Sequence, residues 1–159
     1  MALQGKGNPE RSDDLSALDW AQSLSEGIVQ FLPLQPVSAT QLQQLSPAAL
    51  AYLGDAVYEL YVRTRLLMPP KRLQIYHQEV VARVRAESQA ECLRSLEPHL
   101  TPQETDMLRR GRNAASKSPK RVEANIYQQA TSFETLLGYL YLTDPGRLVQ
   151  LLAQLDCNF

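Results

Sequence analysis

Ala51-Tyr52-Leu53-Gly54-Asp55-Ala56-Val57-Tyr58-Glu59 is the centre of a stretch that runs from Ser46 to Pro70, and its reading decides the fold. Ser46 suits an N-cap, Pro47 suits the first helical position because its missing N–H has no helical partner there, and Pro69-Pro70 forbid continuation. The spacing predicts one long helix. At about 100° per residue, Leu50, Leu53, Val57, Leu60 and Tyr61 fall on one apolar stripe, with Asp55, Glu59, Ala48, Ala51 and Tyr52 on the other side. That second side is small and aromatic rather than wholly polar, so a further element is expected to pack there and to enclose Asp55 partly. Gly54 costs a helix interior about 1 kcal/mol relative to alanine and marks a close backbone approach. Residue types alone favour a packing glycine beside a solvated aspartate.

Outward from this helix the chain reads as helices throughout. Residues 1 to about 14 are polar and glycine-marked, an expected disordered lead-in. Leu15 to Phe31 is loosely helical, and Pro33 and Pro36 break the pattern before Ser38 restarts it. We therefore expect an N-terminal extension over 1–37 and a catalytic-size domain over 38–159. Leu73 to Leu96 has largely helical spacing. Thr101-Pro102-Gln103-Glu104 is a capping-box opening whose helix runs to Arg110, with Gly111 as a plausible stop. Asn125 to Leu142 aligns Ile126, Ala130, Phe133, Leu137 and Leu140, and a short helix from Arg147 to Leu155 follows Asp144-Pro145-Gly146. No stretch alternates as a strand would. The fold class is all-α, a helical bundle.

Composition narrows the function. The 159 residues carry a net charge of −1, so any attraction to nucleic acid must come from local clustering of the 16 lysines and arginines. Cys92 and Cys157 form no metal-ligand spacing and no disulfide framework. Met1 to Trp20 has no apolar run of the signal-peptide kind, and no apolar span reaches the roughly 18 residues of a membrane helix, so a soluble cytoplasmic protein is expected. His77 and His99 stand alone as surface or capping residues.

Two constellations could carry chemistry. Glu134 lies at the flank of the last long apolar stripe with Gly138 one turn on, and a half-buried carboxylate needs a cation, a hydrogen-bond network or a metal ion. Taken singly it reads as half of a buried ion pair. Paired with Gly54-Asp55 it reads differently, because glycines in both long helices allow a close crossing. Two carboxylates could then share a hard cation such as Mg²⁺, which keeps several waters and accepts phosphate oxygens. The second constellation is the acid-free run from Arg109 to Arg121, containing Arg109, Arg110, Arg112, Asn113, Lys117, Lys120 and Arg121. Basic and short polar side chains suit phosphate-backbone contacts. A solvated loop or a dock for an acidic protein partner are the other readings.

Leu50 to Glu59 resembles the signature helix of the ribonuclease III catalytic domain, and Thr131 to Leu140 resembles that domain's second acidic helix. The tyrosine-rich form of both helices, Ser88-Gln89-Ala90, and Arg110-Gly111-Arg112-Asn113-Ala114 are similar to the small subfamily called Mini-ribonuclease III. The resemblance covers about Leu42 to Leu142. It implies an all-helical, homodimeric, Mg²⁺-dependent endonuclease for double-stranded RNA that matures precursor large-subunit (23S) ribosomal RNA and lacks a separate double-stranded-RNA-binding domain. It also implies that Asp55 and Glu134 are the metal-binding and catalytic acids. The chain departs from longer members, which carry glutamates at the positions of Ala48 and Ala51 and an aspartate at that of Thr131; Glu87 stands where the subfamily often has lysine. A non-catalytic RNA-binding ribosome-assembly factor of the same fold is the alternative.

Overall fold

The computed structural model describes residues 37–115 and 122–155. The expected extension over 1–37 therefore lies outside them, save its last residue.

Among the described residues seven α-helices follow one another, with no strand. Helix α1 (Ala39–Gln44) opens on a capping box. The Gln41 amide donates to Ser38 Oγ (3.2 Å), and the Ser38 amide donates to Gln41 Oε1 (2.9 Å). Helix α2 (Pro47–Leu66) begins as its sequence requires, with Ser46 Oγ accepting from the Ala49 amide (3.1 Å) and Pro47 at the first position. It ends before the proline pair.

The buried side of α2 differs from the stripe expected from apolar periodicity. Leu50, Ala51, Gly54, Tyr58, Tyr61 and Val62 are inside, Leu53 and Val57 are half-buried, and Leu60 is 62 % exposed. The reason is Gly54. The face with the smallest residue lets another backbone come closest, so dense packing forms there rather than along the bulkier leucines.

Residues 73–96 form two helices, not one: α3 (Leu73–Val84) and α4 (Ala86–Leu96), separated at Arg85, whose backbone is extended (ψ 155°). Polar side chains just beyond the break satisfy the carbonyls it frees. Ser88 Oγ donates to the Ala82 carbonyl (2.7 Å), and Gln89 Nε2 donates to that of Val84 (3.1 Å). After a 3₁₀ turn (Glu97–His99), α5 (Pro102–Ala114) starts from the expected Thr101–Glu104 capping box. It does not stop at Gly111. That glycine is buried inside the helix, three residues before its end, where an added Cβ would lie 2.8 Å from Thr135 Cβ and 3.1 Å from Ser132 Cα. It is a packing glycine, not a terminator.

Helix α6 (Ala124–Thr143) is the spine against which α2, α4 and α5 pack, and α7 (Pro145–Leu155) closes one end. Its Phe133, Leu136, Leu137 and Leu140 meet Tyr58 and Val62 of α2, Leu93 and Leu96 of α4, and Leu151 and Leu155 of α7 in one core. Tyr58 and Phe133 touch edge to face, with centroids 5.0 Å apart and planes at 86°. One buried charge is fully partnered. Arg147 donates to both oxygens of Glu104 (2.8 and 3.1 Å) and to the His99 carbonyl (2.8 Å), and the pairing holds the Glu104 carboxyl below the usual carboxylate range.

Candidate active site

Helices α2 and α6 cross at their glycines. A Cβ added at Gly54 would overlap the Glu134 carbonyl oxygen and lie 2.8 Å from the Gly138 nitrogen; one added at Gly138 would overlap the Leu50 carbonyl oxygen and lie 3.1 Å from the Gly54 nitrogen. The two backbones thus touch directly. Asp55 follows Gly54, and Glu134 sits on the other side of the contact, so the crossing brings both acids to one place. Thr135 Oγ1 reaches the Pro47 carbonyl (3.4 Å) and tightens the same junction from the start of α2.

The two carboxylates titrate unequally. Asp55 is exposed at the surface, and the burial of part of its side chain, then the charge of Glu59, raises its carboxyl. Glu134 is half-buried, and desolvation first, then the charge of Asp55, pushes it up to about 7; the Gln89 amide pulls the other way through a hydrogen bond. The charge of Asp55 thus opposes the ionisation of Glu134. Among the described residues no basic side chain pairs with Glu134, so the buried ion pair seen at Glu104 is not repeated here.

This arrangement fits a hard divalent cation. Two like charges held together at a partly desolvated crossing are destabilised when both ionise, and a divalent ion removes that penalty. No group of three or more acidic, histidine or cysteine side chains gathers among the described residues, so such an ion would keep most of its shell as water, as Mg²⁺ usually does. Ala51, where longer ribonucleases III are expected to supply a glutamate, is 6 % exposed, whereas Thr131 is half-buried and more accessible.

The basic run is divided by the fold. Its first part is the last turn and a half of α5, not a loop. Arg109 is already engaged with Asp106, its Nε lying 3.2 Å from Oδ1. Arg110 is half-buried and borders a shallow cavity with Asp106, Met107 and Tyr139. Arg112 and Asn113 are exposed. The α5 helix meets α6 at Ser132 and Thr135, which flank Glu134 in sequence, so the exposed pair is carried on the spine that also bears that acid. Lys117, Lys120 and Arg121 lie outside the described residues. His77 and His99 are exposed, as expected.

Gln89 enters the sequence analysis only as part of Ser88-Gln89-Ala90, with no role of its own; it is 1 % exposed and lowers the Glu134 carboxyl against the burial that raises it. The available signal was a polar side chain one position from Ala90 and four from Leu93, on the inward side of an otherwise apolar helical face.

Residues 48–145 match the model of the Ribonuclease III domain. The chain is 57 % identical over 122 residues to Mini-ribonuclease 3 of Thermosynechococcus vestitus, covering 77 % of this chain and 80 % of the relative. It is 59 % identical over 122 residues to Mini-ribonuclease 3 of Synechococcus sp., covering 77 % and 86 %. Among solved structures, a crystal structure of a protein from Fusobacterium nucleatum is similar with a TM-score of 0.58 and 28 % identity, covering 61 % of this chain and 79 % of that one.

Proposed function

Because the chain belongs to the ribonuclease III family, and within it to the Mini-ribonuclease 3 group, we propose that Asp55 and Glu134 form its metal-binding catalytic centre and that precursor 23S ribosomal RNA is its substrate. It is an endoribonuclease of the ribonuclease III type, acting on double-stranded RNA. Residues 38–159 are its catalytic domain in this reading. The observation that carries the proposal is the glycine-to-glycine crossing, which sets two acids together with no basic partner for Glu134 among the described residues. A non-catalytic RNA-binding assembly factor would have no use for such a pair.

When bound, Mg²⁺ would supply Lewis-acid polarisation of the scissile phosphate and a lowered pKa for attacking water. The chain's own residues do the rest. Asp55, exposed, would present its carboxylate to the surface that RNA approaches, and Glu134, deeper, would supply the second oxygen donor to the ion. Arg112 and Asn113, at the exposed end of α5, hold phosphates, as do Lys117, Lys120 and Arg121 beyond it; Arg110 contributes from its half-buried position, while Arg109 shares its charge with Asp106. Duplex RNA is read mainly by shape across its minor groove, so no base-reading side chain is required.

We also propose a homodimer working in the cytoplasm. Leu60, Leu67 and Met68 at the end of α2, with Leu73, Ile75 and Val81 of α3, leave large apolar side chains 46 to 78 % exposed on neighbouring elements, the kind of patch that a second subunit covers. Two sites could then cut both strands. Among the described residues no helix is long and apolar enough to cross a membrane.

The test is incubation of the purified protein with duplex RNA, with and without Mg²⁺. The proposal expects defined double-strand products only with the metal, and equal cleavage in chelator contradicts it.

A further inference from the structure

Tyr127 shares the one open line of α6 with Glu134. Beyond Ala130 this helix is covered on most sides: Phe133, Leu136 and Leu137 face the core, and Ser132, Thr135 and Gly138 meet α5 or α2. The half-buried positions between Tyr127 and Tyr139 are these two, Gln128, Gln129, Thr131 and Glu134. Gln129 accepts from Arg94 of α4 (3.0 Å), and Tyr139 borders the cavity beside α5. Tyr127, Thr131 and Glu134 stand at i, i+4 and i+7, within about 60° of one another round the axis, with Gln128 at their flank.

Helical side chains lean towards the N-terminus, so Glu134 leans over the turn of Thr131, and Thr131 over that of Tyr127. Thr131 is small. It leaves room between the acid at one end of the line and the phenol about 10 Å along the axis at the other. The Tyr61 hydroxyl donates to the Leu152 carbonyl (3.0 Å) and that of Tyr76 to the Arg63 carbonyl (2.6 Å), whereas the Tyr127 hydroxyl has no partner among the described residues. Helix α5, which carries Arg112 and Asn113, meets α6 at Ser132, next to Thr131. Phosphates are matched by the arginines and lysines of the basic run, but Tyr127, Gln128 and Thr131 are all neutral. A neutral phenol that both donates and accepts matches a ribose 2′-hydroxyl, which does the same and lines the minor groove of duplex RNA. That group distinguishes RNA from DNA.

We propose that Tyr127 is a specificity-determining residue: its hydroxyl hydrogen-bonds to the 2′-hydroxyl of a nucleotide near the phosphate held at the acid pair, and so favours RNA over DNA in the strand being cut. The inference rests on the reading of Asp55 and Glu134 as the catalytic centre.

The test is steady-state cleavage in Mg²⁺ by wild type, Asp55→Asn and Tyr127→Phe, on duplex RNA and on a series of duplexes that each carry one 2′-deoxyribose near the cut. Phenylalanine keeps the ring and its packing and removes only the hydroxyl. On the all-ribose duplex kcat/KM should fall about fivefold in Tyr127→Phe, the worth of one neutral hydrogen bond. One 2′-deoxy position should cost wild type the same factor and cost Tyr127→Phe nothing further; a merely structural tyrosine would give losses that add at every position. Tyr127→Phe that cleaves the all-ribose duplex as wild type does, or whose loss adds to that of every 2′-deoxy substitution, overturns the role of Tyr127, and an inactive Asp55→Asn in the same assay leaves the acid pair standing. Asp55→Asn that cleaves at the wild-type rate overturns both. Should Tyr127→Phe not fold, the wild-type protein decides: without Mg²⁺, the Tyr127 Cζ resonance should shift when the all-ribose duplex is added, and shift differently when the most sensitive ribose is 2′-deoxy. An equal shift, or none, overturns the proposal.

Discussion

Gly54 lies directly against the backbone carbonyl of Glu134, and this contact, with the reciprocal one of Gly138 on the Leu50 carbonyl, sets the distance between the two helices that carry the acids. Its removal should be costly. Gly54→Ala places a methyl group into main-chain atoms rather than a movable side chain, so relief requires α2 and α6 to separate. Because the overlap is with main-chain atoms, overpacking should reach the upper end of its usual range, about 3 kcal/mol, which the alanine's better helix propensity, about 1 kcal/mol, does not offset. Denaturant unfolding should show a net loss of about 2 kcal/mol, and catalytic activity should fall further than the folded fraction because the acids move apart. A variant as stable as wild type would show that the crossing is looser than described.

Glu134 gives stability a pH dependence of definite sign. Its carboxyl rises from an ordinary 4.5 in the unfolded chain to about 7 in the folded one, so between these values the native state holds a proton that the unfolded state has released. Stability of the metal-free protein therefore declines as pH rises through this window and levels off above about 7. Partial exposure limits the contribution to at most roughly 3 kcal/mol. Glu134→Gln should remove most of the decline and be more stable than wild type at about pH 8 without metal. Added Mg²⁺ should stabilise wild type more at about pH 8 than at about pH 5, because it binds the ionised form. Parallel stability curves for the two proteins would contradict the burial of this acid.

Arg112 is exposed at the end of α5 and Arg110 half-buried one position before Gly111, while Arg109 is tied to Asp106. Each phosphate contact releases counterions, so Arg112→Ala should flatten the salt dependence of duplex-RNA binding by about one unit, with a smaller change for Arg109→Ala. Binding titrations at several salt concentrations would read this. Equal slopes in wild type and Arg112→Ala would make the exposed arginine a solvated surface residue.

The sparse carboxylates leave room for improvement at Thr131, three residues before Glu134 on α6 and half-buried, where longer relatives are expected to carry aspartate. Ala51 is less suited, since it is buried in the packed α2 face. Thr131→Asp should lower the Mg²⁺ concentration for half-maximal cleavage by about tenfold, through added ligand charge. An unchanged Mg²⁺ requirement in the folded variant would mean that ligands beyond Asp55 and Glu134 complete the site.

Legibility in the sequence followed the range of the interactions. Ser46-Pro47 and Thr101-Pro102-Gln103-Glu104 are local devices, and both caps form as their residues dictate. The glycine-acid pairing of α2 and α6 was legible because glycines in two apolar helices have one common use. Gly111 was read as a terminator because its contact with Ser132 and Thr135 is made by residues more than twenty positions away. The break at Arg85 was hidden for a related reason: an extended residue between two helical patterns leaves no mark on periodicity, and Ser88 and Gln89, which satisfy the freed carbonyls, lie beyond it. Leu60 was assigned inward by hydropathy alone, and its exposure reflects which face of α2 allows the closest backbone approach.

The central claim, that the charges of Asp55 and Glu134 are needed for cleavage and not for folding or RNA binding, is tested most directly by Asp55→Asn. Asparagine is nearly isosteric, and Asp55 is exposed, so the fold should be untouched. Cleavage of duplex RNA in Mg²⁺ should be lost while RNA affinity at matched salt stays at the wild-type level. Cleavage by Asp55→Asn at the wild-type rate would contradict the account and move the catalytic centre elsewhere.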